Sequence, residues 1–201
     1  VADSRSRGKR YRAVTLWLYW HDGGVPNFDL CIIGTGSGNS ILDDRFDDLS
    51  VALVEMGTFG GTCLNVGCIP SKMFVHSADL AASRIQATRL GVDLDLRGVR
   101  WREIRDRIFG RIDPTAANGR AYRLRSHNVT VFDGRARFVE PRTLDVGGAE
   151  PITADRIVIA AGSRPMVPDL PGLSSVEFHT SDTVMRLAEL PDSMIIIGGG
   201  Y

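Results

Sequence analysis

Cys63 and Cys68 stand in the run Gly60-Gly61-Thr62-Cys63-Leu64-Asn65-Val66-Gly67-Cys68-Ile69-Pro70-Ser71-Lys72. Two thiols so close in sequence can bind a metal, form a disulfide, or exchange electrons through one. Five positions along a regular α-helix separate Cα atoms by roughly 8.6 Å, beyond the span of about 7 Å that a disulfide tolerates. The pair can therefore close only where the helix is irregular, and Gly67 between the cysteines is the residue that would permit it. Such a bond would be reducible rather than a structural staple. A glycine-rich segment is a poor place to bury two unrelated thiols. Zinc usually takes cysteines roughly two to four apart with further ligands, and only His76 is near, so no metal site is expected. A structural disulfide is disfavoured in a reducing compartment. Redox chemistry is the reading that these residues favour most. Cys31 lies in an apolar run and reads as a small core residue.

A second constellation is Gly34-Thr35-Gly36-Ser37-Gly38-Asn39, preceded by the apolar run of residues 29–33 and followed by a helix expected from Asn39 onward. Gly34 permits a tight turn. Gly36 lets the backbone approach a pyrophosphate, whose charge would rest against the helix N-terminus. Asn39 replaces the usual last glycine, with Gly38 just before it, and this puts the close helix–strand packing in question. Glu55 lies 21 residues after Gly34, at the end of the next apolar run. An acid at that place accepts hydrogen bonds from the adenosine ribose hydroxyls. Strand, glycine turn, helix and acid together point to a dinucleotide.

The elements expected to position these groups alternate between strand and helix. Residues 29–33 and 51–54 read as buried strands and 71–88 as a helix. A second helix starts near Trp101 and runs past Gly110, where Pro114 should kink it or end it early. Residues 129–139 alternate like a half-exposed strand, and 143–146 can pair with it. A buried strand over 157–160 closes at Ala161-Gly162, a short helix over 183–190 stops at Pro191, and residues 194–197 form a last strand running into Gly198-Gly199-Gly200. This alternation argues for an α/β fold with a parallel sheet.

Composition narrows the function classes. Hydrophobic residues make up 43% and charged residues 24%, and the two signs balance at 24 each, so no general electrostatic case for nucleic acid or a membrane surface exists. Lys occurs only at Lys9 and Lys72, the other basic residues being Arg, which makes Lys72 conspicuous. Three cysteines are too few for a secreted disulfide scaffold, and no apolar run is long enough to span a bilayer. Residues 13–20 are apolar but short, and lack a small-residue cleavage site, so residues 1–26 read as an extension without a fold of its own. A cytoplasmic location is expected.

With these residues in place, the chain resembles the pyridine nucleotide–disulfide oxidoreductases, which include glutathione reductase and dihydrolipoamide dehydrogenase. Residues 60–72 match their redox-active disulfide motif. Ile157-Val158-Ile159-Ala160-Ala161-Gly162-Ser163-Arg164-Pro165 is similar to their second FAD-contacting segment. Ile195-Ile196-Ile197-Gly198-Gly199-Gly200 is similar to the opening of their NADPH-binding motif. Residues 34–40, 58–61 and 179–185 resemble a branch of the family that reduces the disulfide of a small actinobacterial thiol. The likeness covers residues 27–201.

The resemblance implies a Rossmann-like FAD-binding domain over residues 27–190, with a parallel sheet and a small β-meander, followed at 191–201 by the first strand of a truncated NADPH-binding domain. It implies FAD and NADPH as cofactors, a low-molecular-weight disulfide as substrate, and a homodimer for the complete enzyme. Gly34, Gly36, Gly38, Glu55, Gly61, Thr62, Ala161 and Gly162 would bind FAD. Cys63 and Cys68 would form the redox-active disulfide, with Cys68 nearest the flavin and Cys63 exchanging with substrate. Lys72, one helical turn after Cys68, would be the cation beside the flavin. Helix amides and that cation would keep thiolate available near neutral pH. Relatives protonate the leaving thiol with a His–Glu pair from a far C-terminal region. None of His21, His76, His127 and His179 stands in such a motif, so turnover is not expected of the chain as written.

Overall fold

A computed structural model describes residues 25–148 and 150–199. Most of the extension expected over residues 1–26, and the third glycine of the terminal motif, lie outside the described residues. The chain divides into two compact units, one of residues up to 61 together with 118–162, the other of 62–117 and 163 onward.

The first unit is built on a six-stranded sheet in the order β3-β2-β1-β6-β5-β4. Its strands are β1 (Asn27–Ile33), β2 (Val51–Glu55), β3 (Val129–Asp133), β4 (Arg137–Glu140), β5 (Thr143–Asp145) and β6 (Ile152–Ile159). β1 pairs in parallel with both β2 and β6, and β2 in parallel with β3, so their carboxyl ends share one edge. β4, β5 and β6 run antiparallel and form the expected meander. β1 and β2 are apolar over residues 30–33 and 51–54, where both faces of the sheet are covered. Leu30 and Ile32 pack with Val51 and Leu53 on one side, and Cys31 packs with Ala52 and Val54 on the other. Burial pushes the Cys31 thiol up to about 11, the behaviour of a core residue.

The expected strand over residues 129–139 is two strands, split at Gly134. A Cβ there would run into the Val146 carbonyl, so the chain bends where only glycine fits. The helix expected from Asn39 is absent. In its place stand two 3-10 turns, Ser37–Ile41 and Asp44–Phe46. Leu42 is extended, and the Asp43 carboxylate accepts the Arg45 N–H at 3.0 Å, a local bond that competes with a helical ladder.

The second unit holds α1 (Gly61–Asn65, beginning at the unit boundary), α2 (Cys68–Arg89) and the first part of α3 (Trp101–Arg125). Pro114 neither ends nor shortens α3. It leaves the Gly110 carbonyl without its helical donor, and Gly110 is exposed, so water can take that place. Ile108, Phe109 and Ile112 form the core of this unit with Leu64, Met73, Phe74 and Met185. The expected helix over 183–190 is one 3-10 turn, Val184–Arg186. The carbonyls beyond it are claimed from α3 instead: Trp101 Nε1 donates to Leu187 O at 2.9 Å, and Arg105 Nη1 to Ala188 O at 3.1 Å. Residues 194–197 are not a strand. No partner strand stands beside them among the described residues, and Ile195 is 90% exposed.

Candidate functional site

The glycine loop leaves β1 at the sheet's central crevice, where the chain switches from the β2 side to the β6 side. This is the place where open α/β sheets bind ligands. Gly34 has a φ of +106°, and its N–H continues the ladder to Val54 O at 2.8 Å. A Cβ at Gly34 would strike the Ala160 carbonyl, and one at Gly38 would strike the Ala160 side chain. Gly38 thus takes the close-packing role left vacant by Asn39, against the end of β6. Gly61, with φ +69°, packs its backbone on that of Gly36, and a Cβ at Gly61 would overlap Gly36 Cα and N.

Glu55, at the end of β2, accepts from Thr35 N at 3.0 Å and Thr35 Oγ1 at 2.6 Å through Oε2, and from Gly57 N at 2.8 Å through Oε1. Thr35 Oγ1 in turn accepts the Gly60 N–H at 3.0 Å. Thr35 is 2% exposed and ties the glycine loop, Glu55 and Gly60 together. Sequence spacing gives no sign of this role, because Thr35 fills the position between two glycines that the motif leaves open.

The structure therefore gathers Gly34, Gly36, Gly38, Glu55 and Gly61 around the carboxyl ends of β1 and β2. Ala161 follows the end of β6, its nitrogen 3.3 Å from where a Gly34 Cβ would stand. Gly162 has open space around it and a φ of +71°, so glycine is needed there for conformation alone. The backbone N–H groups of Gly36, Ser37 and Gly38 find no acceptor among the described residues. An unfilled row of amides beside two side-chain-free glycines fits a pyrophosphate. Because the following element is a short 3-10 turn, these amides would do the work expected of a long helix N-terminus.

In the second unit, Thr62, Cys63, Cys68 and Lys72 lie on α1 and α2. Val66 N donates to Thr62 O at 2.9 Å, and Ser71 N and Oγ donate to Gly67 O at 3.1 and 2.7 Å, so one helix ends and another begins between the cysteines. Gly67 allows this by leaving room rather than by a rare backbone angle. Its φ is −129°, and a Cβ would lie 2.9 Å from Thr62 O and 3.3 Å from Cys63 Cα. Pro70 sits in the first turn of α2, where its missing N–H breaks no bond.

Cys63 and Cys68 are free, exposed thiols in hydrogen-bond contact. That contact, followed by desolvation and the charge of Cys68, holds the Cys63 thiol above its ordinary value. The backbone N–H groups of Cys68 and Ile69 pull the other way. The expected helix amides are thus present at Cys63, but in the dithiol form its net shift opposes the thiolate. Lys72 is exposed one turn beyond Cys68 and forms no ion pair among the described residues. No cluster of three or more His, Cys, Asp or Glu suited to a metal ion occurs among the described residues, and no helix there is long and apolar enough to cross a membrane.

Residues 28–201 match the family described as pyridine nucleotide-disulphide oxidoreductase. The chain is 49% identical over 182 residues to a mycothione reductase of Mycobacterium tuberculosis, covering 88% of this chain and 40% of that protein. It is 36% identical over 190 residues to a mercuric reductase of Streptomyces lividans, covering 87% of this chain and 38% of that one. Among solved structures, an HOCl-induced flavoprotein disulfide reductase from Escherichia coli superimposes with a TM-score of 0.67 at 27% identity, over 81% of this chain and 35% of that one. The chain spans well under half the length of each relative. From the extent of the family match and the fold, the chain belongs to the pyridine nucleotide-disulphide oxidoreductases, flavoproteins that use FAD and NAD(P)H.

Proposed function

We propose that the chain is the FAD-binding, dithiol-bearing part of an NADPH-dependent reductase whose substrate is mycothiol disulfide. The observation that carries this reading is the pair of free, exposed thiols that flank the break between α1 and α2. The 49% identity to a mycothione reductase supports the substrate. Gly34, Gly36, Gly38 and Glu55 would hold FAD, which when bound would supply the two electrons, drawn from NADPH, that return a Cys63–Cys68 disulfide to the dithiol.

The chain's own residues carry the exchange. The Cys63 sulfur, facing the first amides of α2, attacks one sulfur of the substrate. The substrate S–S bond breaks, and the first thiol leaves with a proton. Cys68 then attacks the Cys63 sulfur of the mixed disulfide, the Cys63–Cys68 bond forms as the bond from Cys63 to the substrate sulfur breaks, and the second substrate thiol leaves with the proton lost by Cys68. Two electrons pass from the dithiol to the two substrate sulfurs. Cys68 is needed because it resolves the first adduct within the protein. Lys72, one turn beyond Cys68, is the proposed cation of the site. A cytoplasmic homodimer is the form in which we expect this activity.

The test is single-turnover reduction of mycothiol disulfide and of oxidised lipoamide by the flavin-loaded, pre-reduced protein, since NADPH-driven cycling is not expected of the chain as written. Faster reduction of mycothiol disulfide supports the assignment. Equal or faster reduction of lipoamide would reassign the substrate, and a folded protein that takes up no FAD would remove the reading altogether.

A further inference from the structure

The glycine loop runs into only five residues of 3-10 helix, Ser37–Ile41, none of them buried. Turns of this kind have poor hydrogen-bond geometry and no cooperative ladder behind them. A loop that must present its amides to a pyrophosphate in one conformation needs a hold from elsewhere, or binding must spend free energy on ordering it. Arg123, in the last turn of α3, supplies such a hold from 84 positions away. Its Nε donates to Asn39 Oδ1 at 2.9 Å, and its Nη2 donates to the Asn39 carbonyl at 3.0 Å.

Asn39 is the residue that closes the turn over the loop, since its own N–H donates to Gly36 O at 3.0 Å and its carbonyl also accepts the Leu42 N–H at 3.4 Å. The guanidinium thus grips both the side chain and the backbone of the residue locked onto Gly36. A planar, permanently charged fork suits two acceptors in fixed positions, which a lysine ammonium does not match. Asn39 also stands where the dinucleotide fingerprint usually has glycine, and glycine offers no side-chain oxygen for Nε. The departure at Asn39 and the reach of Arg123 therefore form one device.

We propose that Arg123 is a positioning residue for the dinucleotide, which acts through Asn39 to fix the amides of Gly36, Ser37 and Gly38 for the pyrophosphate. The inference rests on the FAD-binding reading. It is tested in the full chain with Arg123→Met, Asn39→Ala, their double variant, and Arg125→Met as a control two residues along the same helix. FAD affinity is followed by flavin fluorescence, and amide hydrogen exchange of the loop is followed in the FAD-free protein. Arg123→Met is expected to weaken FAD binding about tenfold, the scale of one charge-assisted hydrogen bond. The double variant should be no weaker than Arg123→Met, exchange at the hydrogen-bonded Asn39 and Leu42 amides should quicken, and Arg125→Met should bind as the parent does. Should Arg123→Met fail to fold, Arg123→Lys carries the test, because it keeps the charge and loses the fork.

Unchanged FAD affinity in the Arg123 variants would overturn the proposal. So would an equal loss in Arg125→Met, which would make general charge the cause, or losses that multiply in the double variant. A parent chain that binds no FAD would remove the cofactor reading and this proposal together. A parent that binds, with variants that bind equally well, would remove this proposal alone.

Discussion

At Cys63 two influences meet on one sulfur. The amides of Cys68 and Ile69 favour the thiolate, while the hydrogen bond to Cys68 and that residue's charge oppose it, and the opposition is the larger. Removing the Cys68 thiol removes the largest of these influences, so in Cys68→Ala the Cys63 thiol should lose its proton at lower pH. The pH profile of iodoacetamide alkylation checks this. Its midpoint should move down and the rate near neutral pH should rise, whereas an unchanged midpoint would mean that the Cys68 contact does not govern Cys63. Thr35 offers a second residue-scale prediction. Thr35→Val keeps the shape but leaves the half-buried Gly60 N–H without its acceptor and takes one of two donors from Glu55 Oε2, at a cost of about 1–3 kcal/mol. Urea unfolding measures it, and a midpoint equal to the parent's would show that the bonds contribute nothing net. Cys63, Cys68, Gly34 and Glu55 were legible as candidates because type and spacing alone mark them. Thr35 and Arg123 were not, because their partners lie 20 and 84 positions away.

Helices and turns were legible where local pattern and tertiary demand agree. The long helices appeared close to their expected places, and α3 outran its proline because the orphaned carbonyl falls at an exposed glycine. Elements failed where side chains compete for backbone groups, as at Asp43 and at the Leu187 and Ala188 carbonyls. The irregularity at Gly67 is legible from a glycine between two cysteines, but its cause is room beside Thr62 and Cys63, which spacing does not report. Gly67→Ala is accordingly expected to cost on the order of 1–3 kcal/mol through overlap with the Thr62 carbonyl. It should also slow closure of the Cys63–Cys68 disulfide by glutathione disulfide. Oxidation at the parent's rate with unchanged stability would show that the turn yields to a methyl group at no cost.

Over the whole chain, the three thiols divide into two exposed and one in the sheet core. Ellman's reagent should therefore titrate Cys63 and Cys68 rapidly in the folded, reduced protein and reach Cys31 only after denaturation. A third rapid thiol would contradict the packing of β1. Leu53, fully buried in β2, sets the scale of that packing. Leu53→Ala should cost about 2–5 kcal/mol by urea unfolding, and a loss below one would mean the core had collapsed around the gap. The chemistry and the α/β class were readable from residue types alone, because glycine turns, paired thiols and apolar runs report on local requirements that any fold must meet. The strand order, the fit of Gly38 on Ala160, the grip of Arg123 on Asn39 and the net shift at Cys63 came only with the folded chain. Each depends on which distant groups share a contact, and sequence spacing does not encode that.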